Sequence, residues 1–329
     1  MPMDYPYLSY QLVKESANDP LLLTSIWGKE WGMDNPVGTI RQVLVNHPNK
    51  ALSKLAGHYE FIESGPLLLN QIKGKRTGGE EPSPPDFALV QSQHKDLVAA
   101  LKKEGIEVVF IEGSTDQWPE SIFTRDMALI VPGGCILSRL ALYVRYGESR
   151  LAAQTLQHLG MPVLGSVQGT GTVEGGSFIM LDPKTALIGR SERVNQEGIE
   201  QVRQILSWQQ IDLIVIDLPA SIIHLDEAFL MIDERKALVN IALLPFWFLD
   251  ELHRRKIEML HVDPRDPMLA INALALSPGR VLMANDAPYT MELLSRQGIQ
   301  LVSVNISEIQ KLGGGIHCCT LPLIRDPLS

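Results

Sequence analysis

Phe178-Ile179-Met180-Leu181, Ala186-Leu187-Ile188-Gly189, the run from Asn195 to Ser207, and Ile211-Asp212-Leu213-Ile214-Val215-Ile216 decide how this chain folds. The first, second and last are short and apolar, as strands are. The third repeats its apolar residues at three- and four-residue spacing, as a helix does. The order is strand, strand, helix, strand. It recurs as Phe229–Ile232, Ala237–Val239, Phe246–Lys256 and Glu258–Val262, and again as Ala270–Leu274, Arg280–Met283, Tyr289–Gln297 and Leu301–Val304. Upstream, Ile122–Val131, Ile136-Leu137, Ser149–Leu159 and Pro162–Leu164 form an earlier copy. The first copy is less regular: Gln42–Asn46, a helix over Gln91–Glu104, and Glu107–Ile111. Within it lies an insert, Lys73–Asp86, rich in Gly, Pro and charge.

Each unit is too small to bury a core of its own, so five of them should pack around a common axis. A doubly wound sheet, the default for mixed α/β patterns, expects strands and helices in simple alternation, and the paired strands count against it. The expectation is a ring of five ββαβ units around a central pocket.

Composition narrows the function. Of 329 residues, 45% are apolar and 20% charged, which suits a folded protein with a large core. A net charge of -9 argues against nucleic acid or an anionic membrane as the main partner. Three cysteines, two of them adjacent (Cys318 and Cys319), make no disulfide framework and fit a reducing compartment. The first residues carry no basic segment followed by an apolar run, so no secretory signal is expected. The most apolar window, Ala237–Leu249, is broken by Asn240 and Pro245 and falls short of the roughly 20 residues needed to cross a bilayer. The expectation is a cytoplasmic protein.

Polar residues cluster where the units begin. Phe123-Thr124-Arg125-Asp126 opens the second, Glu174-Gly175-Gly176 the third and His224-Leu225-Asp226 the fourth. The closing strand brings Gly313-Gly314-Gly315-Ile316-His317-Cys318-Cys319. Equivalent positions in a ring converge on its axis, so these groups should meet. His224 and Asp226, two apart in an extended segment, should point to the same side. The three glycines let the backbone turn sharply and pass close to a ligand. Cys318 supplies a thiol, whose thiolate is a strong nucleophile at neutral pH. No pair of residues has zinc-ligand spacing such as Cys-x-x-Cys, so neither a metal nor another cofactor is expected. Carboxylates in pairs hold a guanidinium through charge-assisted hydrogen bonds. A cation so held would favour the thiolate form of Cys318.

In these motifs the chain, from Val37 to its C-terminus, resembles the guanidino-group-modifying superfamily: arginine deiminase, agmatine deiminase, dimethylarginine dimethylaminohydrolase and the amidinotransferases. The resemblance implies a five-bladed α/β propeller, or pentein, over residues 37–329, with residues 1–36 as an extension packed on it. It implies a small-molecule guanidino substrate and roles for particular residues. Cys318 would be the nucleophile, His224 the general acid and base, and Glu174 the acid that orients it. Asp126 and Asp226 would clamp the guanidinium, and Arg145 and Arg193 would bind a substrate carboxylate.

The departures bear on the substrate. Ser177 stands where the family usually continues Glu-Gly-Gly with Asp, and Glu120 where arginine deiminases often have Asn. The helical insertion of bacterial arginine deiminases is missing. Asp226 is present where dimethylargininases usually lack an acid, which argues for an unsubstituted guanidinium terminus. Hydrolysis of arginine or an arginine derivative is the expected activity. An amidinotransferase, in which an amine replaces water at the second step, and a non-catalytic arginine sensor are the competing readings. The insert 73–86 is either a lid over the pocket or a surface loop, and the oligomeric state is open, a homodimer included.

Overall fold

The computed structural model describes residues 10, 12–55 and 85–328. Within it, helix α1 (Pro20–Trp27) precedes strand β1 (Ile40–Val45), helix α2 (Phe87–Lys103) and β2 (Glu107–Phe110). The next unit holds β3 (Ala128–Val131), β4 (Gly134–Leu137), α3 (Glu148–His158) and β5 (Val163–Ser166). Then come β6 (Phe178–Asp182), β7 (Thr185–Arg190), α4 (Gln196–Ser207) and β8 (Asp212–Asp217). The fourth unit has β9 (Phe229–Asp233), β10 (Lys236–Val239), α5 (Phe246–Arg254) and β11 (Glu258–His261). The fifth has β12 (Leu274–Ser277), β13 (Arg280–Ala284), α6 (Pro288–Arg296) and β14 (Gln300–Val304), and α7 (Ser307–Gln310) leads to β15 (Leu321–Arg325).

These strands form five three-stranded sheets. In the third unit β7 pairs antiparallel with β6, with Phe178 opposite Ile188, and parallel with β8, with Ala186 opposite Leu213. The helix between the parallel strands makes the crossover that such pairing requires. The second, fourth and fifth units repeat the scheme. The first unit lacks a strand of its own in the antiparallel position, and β15 takes it, pairing antiparallel with β1 while β1 runs parallel to β2. The C-terminal strand thus closes a five-bladed α/β propeller.

The ring is held by cores shared between neighbours. Along β9, Phe229 and Met231 pack with Leu187 and Ile216 of the preceding unit, whereas Leu230 and Ile232 pack with Val281 and Met283 of the next. Successive side chains of a strand point to opposite faces, so one strand serves two cores. Helix α4 is fixed at its start by the Asn195 side chain, which accepts a hydrogen bond from the Gly198 N–H, and it buries Ile199, Val202, Ile205 and Leu206.

Two strand boundaries differ from expectation. Residues 124–127 and 268–271 coil into single 3-10 turns, so β3 begins at Ala128 and β12 at Leu274. Ahead of β1, Trp31 is buried, the Gly32 N–H donates to the Leu323 carbonyl of β15, and the Gly133 N–H donates to the Trp31 carbonyl. Most of the insert 73–86 lies outside the described residues; its last residue, Asp86, caps α2 by accepting from the Ala88 and Leu89 N–H groups. Among the described residues no helix is long and apolar enough to cross a membrane.

Candidate active site

The first strand of each complete unit is entered through one 3-10 turn: 124–127 before β3, 175–177 before β6, 225–227 before β9 and 268–271 before β12. The glycine-rich turn 313–320 does the same before β15. Asp126, Glu174, His224, Asp226 and Cys318 all lie in or beside these turns, and all are buried. His224 and Asp226 are not neighbours in an extended segment, as their spacing suggested. His224 is extended, but Asp226 sits inside the turn 225–227. Glu227 fixes that turn by accepting the backbone N–H groups of Ile223 and His224, each at 2.9 Å.

His224 Nε2 lies 2.8 Å from Glu174 Oε2. The other carboxylate oxygen of Glu174 accepts the Ala141 N–H at 3.0 Å, so the acid is held from both sides. On the far side of the ring, His224 Nδ1 is 3.7 Å from Asp126 Oδ1. Burial disfavours the imidazolium, but the Asp126 charge and the Glu174 hydrogen bond outweigh it and push the His224 pKa up to about 9. Burial likewise opposes the Glu174 charge, yet Arg193 and His224 hold its carboxyl well below the usual range. An ion pair, His224 protonated and Glu174 ionised, is therefore the state at neutral pH.

Gly176 makes this arrangement possible. Its N–H donates to Asp126 Oδ1 at 3.0 Å, and a Cβ there would fall 2.8 Å from His224 Nδ1 and 2.9 Å from Asp126 Oδ1. Gly175 is confined in the same way, its Cβ position lying 2.2 Å from the Arg125 carbonyl oxygen. Ser177, in place of the usual acid, is buried in the turn and its hydroxyl has no hydrogen-bond partner.

The two arginines occupy different situations. Arg145 Nη1 donates to Asp126 Oδ2 at 2.6 Å, Nη2 to the Phe123 carbonyl at 3.0 Å and to Glu148 Oε2 at 2.8 Å, and Nε to Glu148 at 3.2 Å. Glu120 adds a further contact, 3.5 Å from Nε. Four of its five N–H groups are thus spent on protein acceptors. The carboxylate contact expected of Arg145 has little left to be made with. Arg193 is equally buried but lightly held: Nη1 is 3.5 Å from Glu174 Oε2, and Nε has no hydrogen-bond partner.

Cys318 is fixed by its backbone. Its N–H donates to Asn272 Oδ1 at 3.1 Å and its carbonyl accepts the Arg125 N–H at 3.0 Å. Of the three glycines before it, only Gly313 takes a left-handed φ, +89°. Gly314 and Gly315 serve close packing against the protein, since a Cβ at either would lie 2.4 Å from the Phe123 ring or 2.6 Å from Asn272 Oδ1. Burial, then the charges of Asp226 and Asp126, push the Cys318 thiol well above its usual range, so the site as it stands favours the protonated thiol. Burial also raises Asp226, to about 7. One oxygen of Asp226 lies 2.6 Å from His317 Nδ1, while the other, Oδ1, makes no hydrogen bond of good geometry, although the Asn272 amide is near enough to pull the Asp226 pKa down. Burial and the nearby Arg125 and Arg325 hold His317 neutral, so its Nδ1–H donates to Asp226. Cys319 is buried and packs in the core.

Asp126, Glu174 and His224 each offer one ligand atom within 4.8 Å of the others.

Asn272 and His317 were not singled out from sequence. Asn272 follows the turn 268–271 and stands two residues before β12, as Asp126 stands two residues before β3.

Residues 86–325 match the family model described as N,N dimethylarginine dimethylhydrolase, eukaryotic. The chain belongs to this family. The N(G),N(G)-dimethylarginine dimethylaminohydrolase of Pseudomonas aeruginosa is 26% identical over 237 residues, 72% of this chain and 89% of that protein. A solved structure of the Pseudomonas dimethylargininase, a Cys-to-Ser mutant complexed with citrulline, superposes with a TM-score of 0.69 at 22% identity, covering 87% of this chain and all of that one. SxtG, an amidinotransferase from Microseira wollei in saxitoxin biosynthesis, superposes with a TM-score of 0.72 at 16% identity over 91% of this chain and 98% of its own. This dimethylargininase-family member is a hydrolase acting on amidino C–N bonds.

Proposed function

We propose that the chain hydrolyses the guanidino group of arginine or an arginine derivative through a covalent adduct on Cys318. The observation that carries the reading is Asp226 Oδ1: a buried carboxylate oxygen without a hydrogen-bond partner, beside a thiol and a His224–Glu174 pair. A buried acid left unpaired is costly, and a bound guanidinium N–H would satisfy it.

The sequence of events follows from the charges. The guanidinium docks between Asp226 and Asp126, and its positive charge lowers the pKa of Cys318, whose proton leaves to solvent. The thiolate attacks the guanidinium carbon. His224, protonated, gives its proton to the departing nitrogen, leaving an amidino-thioether on Cys318 and a neutral imidazole. His224 then takes a proton from water, the hydroxide adds to the same carbon, and collapse expels the thiolate and a ureido product. Glu174 keeps His224 oriented and stabilises its charged form. Arg193, with donors to spare, receives a substrate carboxylate, and Arg145 holds Asp126 in place.

The unpaired acid oxygen at Asp226 favours an unsubstituted guanidinium terminus, with an N–H to donate, over a dimethylated one. The test is incubation with L-arginine, N-methylated arginines and agmatine in parallel, assaying ureido product and released amine. Ureido product from arginine supports the reading as stated. Product from methylated arginine alone moves the substrate to the dimethylated class. No product in any well, and no adduct on Cys318 by mass spectrometry, overturns the reading. An adduct that turns over only when glycine or another amine is added replaces hydrolysis by amidino transfer. Cys318→Ala should abolish turnover with the melting curve intact.

A further inference from the structure

Arg125 and Arg325 are both more than nine-tenths buried, at 5% and 7% exposure. Neither makes an ion pair with a carboxylate among the described residues. Arg125 spends one side-chain hydrogen bond, Nε to the His317 carbonyl at 3.2 Å, and its Nη2 has no partner. Arg325 gives Nη1 to the Gly38 carbonyl at 2.6 Å and Nη2 to the Ala275 carbonyl at 2.9 Å, and its Nε has no partner. Both line one cavity of about 30 Å³. Its remaining walls include Phe178, Met180, Met231 and Ala275, drawn from the first strands of three units, so the cavity lies on the propeller axis. Cys318, Asp126, Glu174, His224 and Asp226 are not among its walls, but His317, which lies 2.6 Å from Asp226, is.

Burying a charge without an opposite charge is among the more costly arrangements a fold can hold, and here two like charges face one space. Burial, followed by the charge of Arg125, lowers the affinity of Arg325 for its own proton, the direction expected of a cation short of a counter-ion. Carbonyl oxygens on Arg325 satisfy hydrogen bonds but supply no net charge. The volume suffices for one or two water-sized species, and a water needs several polar partners. Beyond the two guanidiniums, His317 is the one polar side chain in the wall, and the rest is apolar. A weakly hydrated monovalent anion needs only the guanidinium N–H groups and tolerates apolar neighbours, whereas sulfate or phosphate is too large and too strongly hydrated.

We propose that Arg125 and Arg325 form an axial binding site for a monovalent anion of halide size, adjoining the substrate pocket through His317. The anion receives N–H groups from Arg125 Nη2 and Arg325 Nε; Asp226 and Asp126 act on Arg125 from beyond ion-pair distance, and no carboxylate acts on Arg325 among the described residues.

The probe is bromide. Crystals of the full chain grown in ~100 mM sodium bromide, where surface association is already screened, should show one anomalous peak between the two guanidiniums. Melting temperature should rise by about 3 °C in bromide relative to sodium gluconate at equal ionic strength, as expected for a ligand bound only by the folded state. In Arg325→Met this difference should vanish. Should that variant not fold, the anomalous map of the unaltered protein decides alone. Water density without anomalous signal in the cavity, or a bromide effect equal in Arg325→Met and the unaltered protein, overturns the proposal.

Discussion

His317 Nδ1 lies 2.6 Å from Asp226 Oδ2, and both residues are buried, so the residue preceding the candidate nucleophile holds the acid that faces it. A neutral imidazole that donates to one oxygen fixes the rotamer of Asp226 and leaves the other oxygen for substrate. Replacing His317 by Phe removes the donor and strands a buried carboxylate. A lost hydrogen bond to a charged group costs about 1.5–3 kcal/mol, so kcat/KM should fall roughly 10- to 100-fold, mainly through KM. His317→Asn, which can donate in the same direction, should recover part of the loss. A purely structural role would lower the melting temperature equally in both variants and leave KM unchanged.

The pH profile follows from two buried groups. Asp226, raised to about 7, must be ionised to hold a guanidinium, so kcat/KM should climb through that region; release of the Cys318 proton on binding steepens the climb. His224, raised to about 9, must be protonated to serve the leaving nitrogen, so activity should fall above it. The optimum lies between these values, and Asp226→Asn should abolish the Asp226 part of the acid limb. Stability runs the other way. Both folded-state values exceed the unfolded ones, so each contribution is complete below the unfolded pKa and is lost as pH rises through about 7 for Asp226 and about 9 for His224. The melting temperature should therefore decline from pH 3.8 to about 7 on account of Asp226 and from 6.5 to about 9 on account of His224; a flat curve would contradict the assigned states.

The repeat was legible because each blade places two strands before its helix and buries those strands on both faces, leaving short continuous apolar runs. The single 3-10 turns were not, since three or four residues carry no hydrophobic period, and Ile122–Val131 read as one strand although residues 124–127 coil. The same turns carry the site, which is why the pocket's members could be named from sequence but their geometry could not. Asn272 escaped notice for a different reason. It has no titratable group and lies inside an apolar stretch, and only its place two residues before the first strand of its unit, the offset of Asp126, marks it. Arg145 carried a usable signal in Glu148, three residues on, at the spacing of a helical ion pair.

Gly176 offers a test of how tightly the pocket is built. A Cβ there would meet His224 Nδ1 at 2.8 Å and Asp126 Oδ1 at 2.9 Å, both on side chains that are buried and held by other partners. Neither can withdraw without breaking a charged hydrogen bond. Gly176→Ala should therefore lower kcat by about 100-fold or more, because a misplacement of the acid–base group of around 1 Å is enough to cost that much. The overpacking penalty should be about 1–3 kcal/mol, and far-ultraviolet circular dichroism should be unchanged. Near-normal kcat would mean that His224 has room to move, and that its contact with Asp126 is dispensable.

Arg145 sits among Asp126, Glu148 and Glu120, and its side chain is buried with theirs. Burial already pushes Glu148 up to about 8 despite the bidentate contact with Arg145. Removing the arginine leaves Glu148 without its cation and leaves Asp126 and Glu120 only the weaker influence of His224 and Arg193, and breaking a buried pair in this way costs about 3–5 kcal/mol. Arg145→Met should therefore destabilise the fold strongly at pH 8 and less at pH 5, where the acids can protonate. Activity should fall with it, since Asp126 loses the group that aims it. Arg145→Lys keeps the charge but not the fork, and should restore stability more than turnover. If Arg145 instead received the substrate carboxylate, Arg145→Met would raise KM for arginine while leaving KM for agmatine and the melting temperature untouched. Parallel measurement of the three quantities separates the two roles.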